Sequence, residues 1–202
     1  IEDGAINILA IGQVAAEHAI DPNTSHMLAQ LLTADCKHNK ILRIICNAYE
    51  MKMIPLRSPR IVGEMMKSFP ELAVNGEPDD PTVFAAALFK CHMGRVPIND
   101  ECIDPLRIVC THFLRIAPAA IDISAAKGWL KTTVAIIQLM QHVIQGVAFG
   151  YSEILQLPFI TLDAAVKFNE LKVSTIDQLR DFASETENGE EICKQIIAST
   201  NP

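Results

Sequence analysis

The chain has 202 residues, of which 50% are hydrophobic and only 5% aromatic, and its formal net charge is −7. A core of this composition must be built from aliphatic side chains and alanine, which favours helices packed on helices. The acidic balance disfavours a non-specific nucleic-acid binder, because neutralising phosphates requires clustered lysine and arginine.

The six cysteines show no paired CxxC spacing and no dense framework, so we interpret them as reduced thiols of an intracellular protein, packed in the core. Metal ligation is the alternative, because three Cys–His pairs are close in sequence: Cys36 with His38, Cys91 with His92, and Cys110 with His112. A closed zinc site needs four convergent ligands, usually from two pairs at knuckle-like spacing. We therefore predict no metal site and no other cofactor.

Three helices are predicted in the first quarter of the chain. The first covers 6–20 and stops before the breaker pair Asp21-Pro22. The second is capped by Thr24 or Ser25 and runs to Leu32. The third covers 37–50, with apolar residues on one stripe. The start at Ile1, with no signal peptide, favours a fragment of a longer protein.

A basic zone and a loop follow. Residues 37–67 carry seven basic and two acidic side chains, a balance of +5, which indicates a solvated face or a surface that contacts RNA or a partner. Residues 69–81, with three prolines, read as a surface loop. The next helix begins with Asp80 as N-cap and Pro81 in the first turn, and Gly94 ends it.

The strongest helical pattern is a pair of arms around Gly128. One long helix is predicted from about Asp104 to Ala126, kinked at Pro118, and Gly128 suits a left-handed C-terminal cap. The second arm is predicted to bury an aliphatic stripe: Leu130, Val134, Ile137, Met140 and Ile144.

A polar, uncharged line runs along the same second arm and consists of Gln138, Gln141, His142 and Gln145. Such a line suits contact with another protein, and amides bonded inside the same bundle are an equally good explanation. Residues 132–152 are uncharged and long enough to raise a membrane question. Four strongly polar residues at that depth favour a core helix instead, with no membrane insertion.

Beyond Gly150 the composition changes, which indicates a smaller second unit with short helices over 161–171, 175–183 and 189–199. Ser174 or Thr175 caps the middle helix, supported by Asp177 or Gln178 at the capping-box position. The unit is similar to a helix-hairpin-helix, but it lacks phosphate-holding glycines, and 161–202 carries eight acidic against four basic residues. The predicted fold is all-α, with a helical bundle over 1–152 and a helix-loop-helix unit over 153–202.

Three ordered blocks carry a family resemblance: 41–50 followed by 54–57, then Lys127-Gly128-Trp129-Leu130, then 142–146 leading to 155–158. In this order and spacing they resemble the Brl domain, also called the Sec sixty-three homology domain. That domain follows the motor cassettes of large Ski-two-like RNA helicases and also occurs in a subunit of the endoplasmic-reticulum translocon.

The resemblance implies a non-catalytic accessory and protein-interaction domain of an ATP-dependent RNA helicase, nuclear and acting in pre-mRNA splicing. The alternative is a scaffold on the cytosolic face of the endoplasmic reticulum. Its implied partners are the motor domains of the parent chain and other subunits of an RNA-processing complex. It also implies weak RNA contact by a ratchet-like helix, for which Arg107, Arg115 and Lys127 are the available cations. No catalytic residue is predicted.

Overall fold

The computed structural model describes residues 9–68 and 76–200, in which eleven α-helices and no strand are found. The all-α prediction is therefore confirmed. The chain divides into two compact units, Ile1–Ile144 and Gln145–Pro202. The domain boundary expected from the sequence, between residues 152 and 153, remains a prediction. Of the loop predicted over 69–81, residues 69–75 lie outside the described residues.

Eight helices begin in the first unit. They are α1 (Ala10–Glu17), α2 (Pro22–Leu31), α3 (His38–Cys46), α4 (Tyr49–Lys52), α5 (Pro59–Ser68), α6 (Pro81–Met93), α7 (Ile103–Ala126) and α8 (Leu130–Gln145). A 3-10 turn, Asp100–Cys102, leads into α7.

Two of these helices begin with the same Asp-Pro signal. Asp80 accepts a hydrogen bond from the Thr82 amide, and Pro81 takes the first helical position, as predicted. Asp21 likewise accepts from the Asn23 amide at 2.7 Å, so Asp21 and Pro22 start α2. The prediction that Thr24 or Ser25 caps this helix is therefore wrong, because aspartate before proline is the stronger start.

The helix predicted over 37–50 is two helices. α3 ends at Cys46, and Ala48 takes an extended ψ of 149° before α4 begins. The helix α5 was not expected from the sequence. Pro59 takes the first helical position, and the Ser58 carbonyl accepts hydrogen bonds from the amides of Ile61 and Val62, which closes the first turn.

The core of the first unit is organised around α7, which packs against α1, α2, α3, α4 and α6. Phe113 of α7 meets Phe89 of α6 edge to face, with ring centroids 5.2 Å apart. Ala117, Ala119 and Ala120 are fully buried on α7 and allow neighbouring helices to approach closely. The α7 helix continues through Pro118 and ends at Ala126.

The turn between α7 and α8 is a Schellman cap. Gly128 has φ of +71°, its amide donates to the Ala125 carbonyl, and the Trp129 amide donates to the Ser124 carbonyl. There is free space around Gly128, so the positive φ is what requires glycine. This confirms the predicted left-handed cap.

The buried face of α8 differs from the prediction. Thr132, Ala135, Ile136, Leu139 and Val143 are buried. Leu130, Val134, Ile137 and Ile144 are exposed, at 74%, 42%, 40% and 58%, and Met140 is half-buried. The stripe that was expected to face the core therefore faces outwards.

The second unit contains α9 (Leu162–Glu170), α10 (Ile176–Glu185) and α11 (Gly189–Thr200), after a 3-10 turn at Glu153–Gln156. Thr175 and Gln178 form the predicted capping box. This unit has its own core, which consists of Val147, Ile154, Leu155, Ile160, Ala164, Ala165, Phe168 and Val173.

Candidate functional site

The three cations predicted to face a nucleic acid all belong to α7 or its C-terminal cap, but they differ in their surroundings. Arg107 is exposed, and its guanidinium lies 3.5 Å from the Asp104 carboxylate one turn earlier. Both side chains are nearly four-fifths solvent-accessible, so this pair is weak. Arg107 therefore remains available to a ligand.

Arg115 is half-buried and is used by the chain itself. Its Nη1 donates to the Ala19 carbonyl at 3.0 Å, and its Nη2 lies 2.6 Å from Nδ1 of His112. The Nε of Arg115 is buried and has no hydrogen-bond partner. Burial and the adjacent Arg115 lower the pKa of His112, so the neutral imidazole is favoured as an acceptor.

Lys127 is also engaged within the chain. Its Nζ donates to the Ala29 carbonyl in α2 at 2.6 Å and lies 4.6 Å from the centroid of the Trp129 ring. Arg115 and Lys127 thus attach α7 to the ends of α1 and α2. Of the three predicted cations, only Arg107 is not held by a backbone carbonyl.

The predicted polar line follows α8, with Gln138, Gln141 and Gln145 exposed and His142 half-buried. Gln138 Oε1 lies 3.0 Å from His38 Nε2, and Gln145 donates to Gln156 at the same distance. Two of the glutamines thus have partners inside the chain, which agrees with the second explanation offered for this line. Their role as a partner-binding surface remains a prediction.

Sequence reasoning missed an exposed apolar surface on α8. Leu130, Val134, Ile137, Gln141 and Ile144 lie on one side of the helix, and we call them the α8 outer stripe. The helical period did identify four of these five residues as one stripe. What it lacked was any indication that the opposite side of α8 was the buried one.

Several side chains of the basic zone also bond within the chain. Arg57 donates to the Glu101 carbonyl, Lys40 to the Thr33 hydroxyl, and Arg60 pairs with Glu64 across one turn. Such contacts agree with a solvated basic face more than with a prepared phosphate site.

One group in the described residues brings three metal-ligating side chains together: Glu17, His18 and Asp122, with ligand atoms within 4.8 Å of one another. His18 Nε2 is hydrogen-bonded to Asp122 at 2.6 Å, and Glu17 accepts from Gln13. The hydrogen bond between His18 and Asp122 joins the end of α1 to α7, so we interpret the group as a structural hydrogen-bonded cluster.

Burial makes several of the thiols poor nucleophiles. Cys36, Cys46, Cys91 and Cys102 are buried, and all six cysteines are free. Burial raises the pKa of Cys91 to about 11 and also raises that of Cys110. Such thiols stay protonated at neutral pH, as expected for cysteines that serve packing.

By length and composition, one helical stretch in the described ranges, Asp100–Ala126, could cross a membrane. It contains α7, the helix on which the first unit packs, and core helices pass the same test. The arm that raised the question in the sequence, α8, has 16 residues, fewer than the roughly 20 that a span needs.

Comparison with known proteins identifies the family. A family model, the Sec63 Brl domain, matches residues 8–185. The human U5 small nuclear ribonucleoprotein 200 kDa helicase is 25% identical over 89% of this chain and 8% of its own length. The DExH-box ATP-dependent RNA helicase DExH12 of Arabidopsis thaliana is 29% identical over 92% of the chain and 9% of its own length.

A third relative is the human activating signal cointegrator 1 complex subunit 3, which is 29% identical over 79% of the chain and 7% of its own length. The chain thus spans less than a tenth of the length of these relatives. The family match extends from the first helix of the bundle into α10, so both units take part in it. On these grounds, the chain belongs to the Sec63 Brl domain family.

Proposed function

We propose that this chain is a non-catalytic accessory domain of a large ATP-dependent RNA helicase of the nucleus, where it acts in pre-mRNA splicing by contacting other proteins and bracing the motor. The helicases among its relatives support the parent activity, and the U5 ribonucleoprotein helicase among them supports the splicing role.

One observation favours contact with proteins over binding of an RNA strand: two of the three cations on α7 and its C-terminal cap are bonded within the chain. Arg115 and Lys127 donate to backbone carbonyls of the same chain, at 3.0 and 2.6 Å. Neutralising a phosphate would require each to give up a charge-assisted hydrogen bond. A strand along α7 would therefore meet Arg107 and few other free charges.

The first experiment is a titration of the purified chain with single-stranded RNA at low and physiological salt. We expect weak binding, because few phosphate contacts remain, and an affinity that falls as salt is added, because those contacts are electrostatic. Arg107→Ala should weaken the binding further. Arg180→Ala removes an exposed arginine of the acidic second unit and is the control. Tight, salt-resistant binding would contradict the proposal.

The second experiment identifies the partners. The immobilised chain is incubated with nuclear extract and, separately, with solubilised endoplasmic-reticulum membranes, and the retained proteins are identified by mass spectrometry. Enrichment of splicing factors is the expected result. Retention of translocon subunits alone would favour the membrane scaffold instead.

A further inference from the structure

The α8 outer stripe has the spacing of a helix-packing seam. Leu130, Val134, Ile137, Gln141 and Ile144 follow one another at intervals of four, three, four and three residues. This is the alternation of a and d positions in a heptad, which keeps side chains on the side that meets another helix. The four aliphatic members are 40% to 74% exposed in the described structure.

The stripe is presented on a fixed support. The opposite side of α8 is buried, with Ile136, Leu139 and Thr132 almost inaccessible to solvent. The Thr132 hydroxyl donates to the Thr33 carbonyl and accepts from the Cys36 amide, which joins α8 to the segment before α3. A partner would therefore meet a preformed surface and would not have to order it.

We infer that the α8 outer stripe binds an amphipathic helix from the helicase part of the parent polypeptide, outside these 202 residues. The inference rests on the proposed function, which it deepens by naming the surface through which the domain contacts the rest of its protein. Its first support is the length of the matched relatives, which are more than ten times as long as the aligned region. A parent of similar length would have many segments that could supply such a helix.

The size of the stripe favours a tethered occupant over a second copy. Stable complexes between separate proteins bury about 800 Å² on each partner. Four partly exposed aliphatic side chains on one side of a helix about 24 Å long offer much less than this area. A segment of the same polypeptide needs less contact, because the tether raises its effective concentration.

The charge around the stripe defines the chemistry of the occupant. The flanking positions are mostly uncharged, with Thr133, Gln138 and Gln145 beside the stripe. The charged neighbour Lys131 pairs with Asp35 at 3.6 Å. A helix with aliphatic residues at three- and four-residue intervals fits this surface, with an uncharged polar side chain opposite Gln141 to satisfy its amide.

The test is photo-crosslinking in the full-length parent protein. The photoreactive residue p-benzoylphenylalanine replaces Val134 or, separately, Ile137, and replaces Lys131 as the control on the same helix. After irradiation, crosslinked peptides are identified by mass spectrometry. We expect positions 134 and 137 to label one helicase-region peptide with three-four apolar spacing, at least tenfold more than position 131. Adding Ile137→Glu to the position-134 variant should reduce that crosslink at least tenfold.

Crosslinks between two copies, crosslinks only to another protein, or equal labelling from position 131 would each overturn the inference. Absence of any crosslink from positions 134 and 137 would do the same. The proposed function is tested separately, by ATP hydrolysis and RNA unwinding with the unmodified full-length protein. If the full-length protein showed neither activity, the proposed function would fail. A crosslink from positions 134 and 137 would then still show a contact within the polypeptide, but in a protein that is not a helicase.

Discussion

At the scale of single residues, Arg115 bonds within the chain through two of its three guanidinium nitrogens. Its guanidinium joins the Ala19 carbonyl, which follows α1, to His112 on α7, while its Nε is buried without a partner. Lysine could not replace it, because one ammonium cannot reach both acceptors in a planar fork. Its charge therefore contributes to the fold before any ligand is considered.

Replacing Arg115 with alanine should lower the free energy of unfolding by about 2 kcal/mol, because hydrogen bonds of a half-buried charged group are lost. Arg107→Ala is the matched control and should change it by less than about 0.5 kcal/mol, since its ion pair is exposed. Urea denaturation followed by circular dichroism measures both. Equal effects would show that Arg115 is not a structural residue.

His112 should make stability depend on pH. Burial and Arg115 lower its pKa in the folded state, so the unfolded chain binds the proton first as the pH falls. The contribution of His112 is full above about pH 6.5 and decreases as the pH falls below that value towards the lowered pKa. The urea midpoint measured from pH 8 to pH 5 should fall less in His112→Asn, whose amide oxygen can still accept from Arg115. Parallel curves for the two proteins would refute this explanation.

At the scale of helices, the starts and ends that were predicted correctly are those whose signal lies within one turn of the chain. Asp80-Pro81, Gly128 and the Thr175–Gln178 capping box act within one turn, and all three are confirmed. Asp21-Pro22 carries the same signal as Asp80-Pro81 but was read only as the end of the preceding helix. The break at Ala48 had no signal of this kind, because the stripe of α3 continues across it.

The buried face of α8 could not be predicted for a different reason. The helix is apolar on two sides: Ala135, Ile136, Leu139 and Val143 form one, and the outer stripe forms the other. Periodicity identifies the residues that share a side, but it does not choose between two sides of similar hydrophobicity. That choice depends on neighbours distant in sequence, such as the Thr33 carbonyl bound by Thr132.

Adjacent residues of α8 give a direct test of this assignment. Ile136→Asp places an unpaired carboxylate in the core and should cost more than about 3 kcal/mol or prevent folding. Ile137→Asp is the matched control on the exposed side and should cost less than about 1.5 kcal/mol relative to the unsubstituted chain, because Ile137 is already 40% exposed. Thermal and urea unfolding of the two variants are compared. The reverse order would restore the face expected from the sequence.

At the scale of the whole molecule, the family was recognisable because its three sequence blocks are ordered along the chain, and the match over 8–185 confirms that recognition. Whether each candidate cation is free or bonded within the chain could not be predicted from the sequence. Arg115 bonds a residue 96 positions away, and Lys127 one 98 positions away. Only the folded arrangement of α1, α2 and α7 brings these groups together.

The two units have separate cores, so a defect in one should be confined to it. Phe168 is fully buried among the apolar residues of the second unit, and Phe113 is fully buried in the first. Each Phe→Ala change should cost about 3 to 5 kcal/mol. Hydrogen–deuterium exchange should show faster exchange in α9 for Phe168→Ala and in α6 and α7 for Phe113→Ala. Faster exchange throughout the chain in both variants would mean that the units unfold together.

The turn that connects α7 and α8 also determines what fluorescence can report. Trp129 is the single tryptophan of the chain, and it lies directly after the positive-φ glycine, with the Lys127 ammonium over its ring. Selective excitation of tryptophan therefore reads out this one turn of the first unit. The emission should change when Lys127 releases the ring, and it should be silent to events confined to the second unit, which contains no indole.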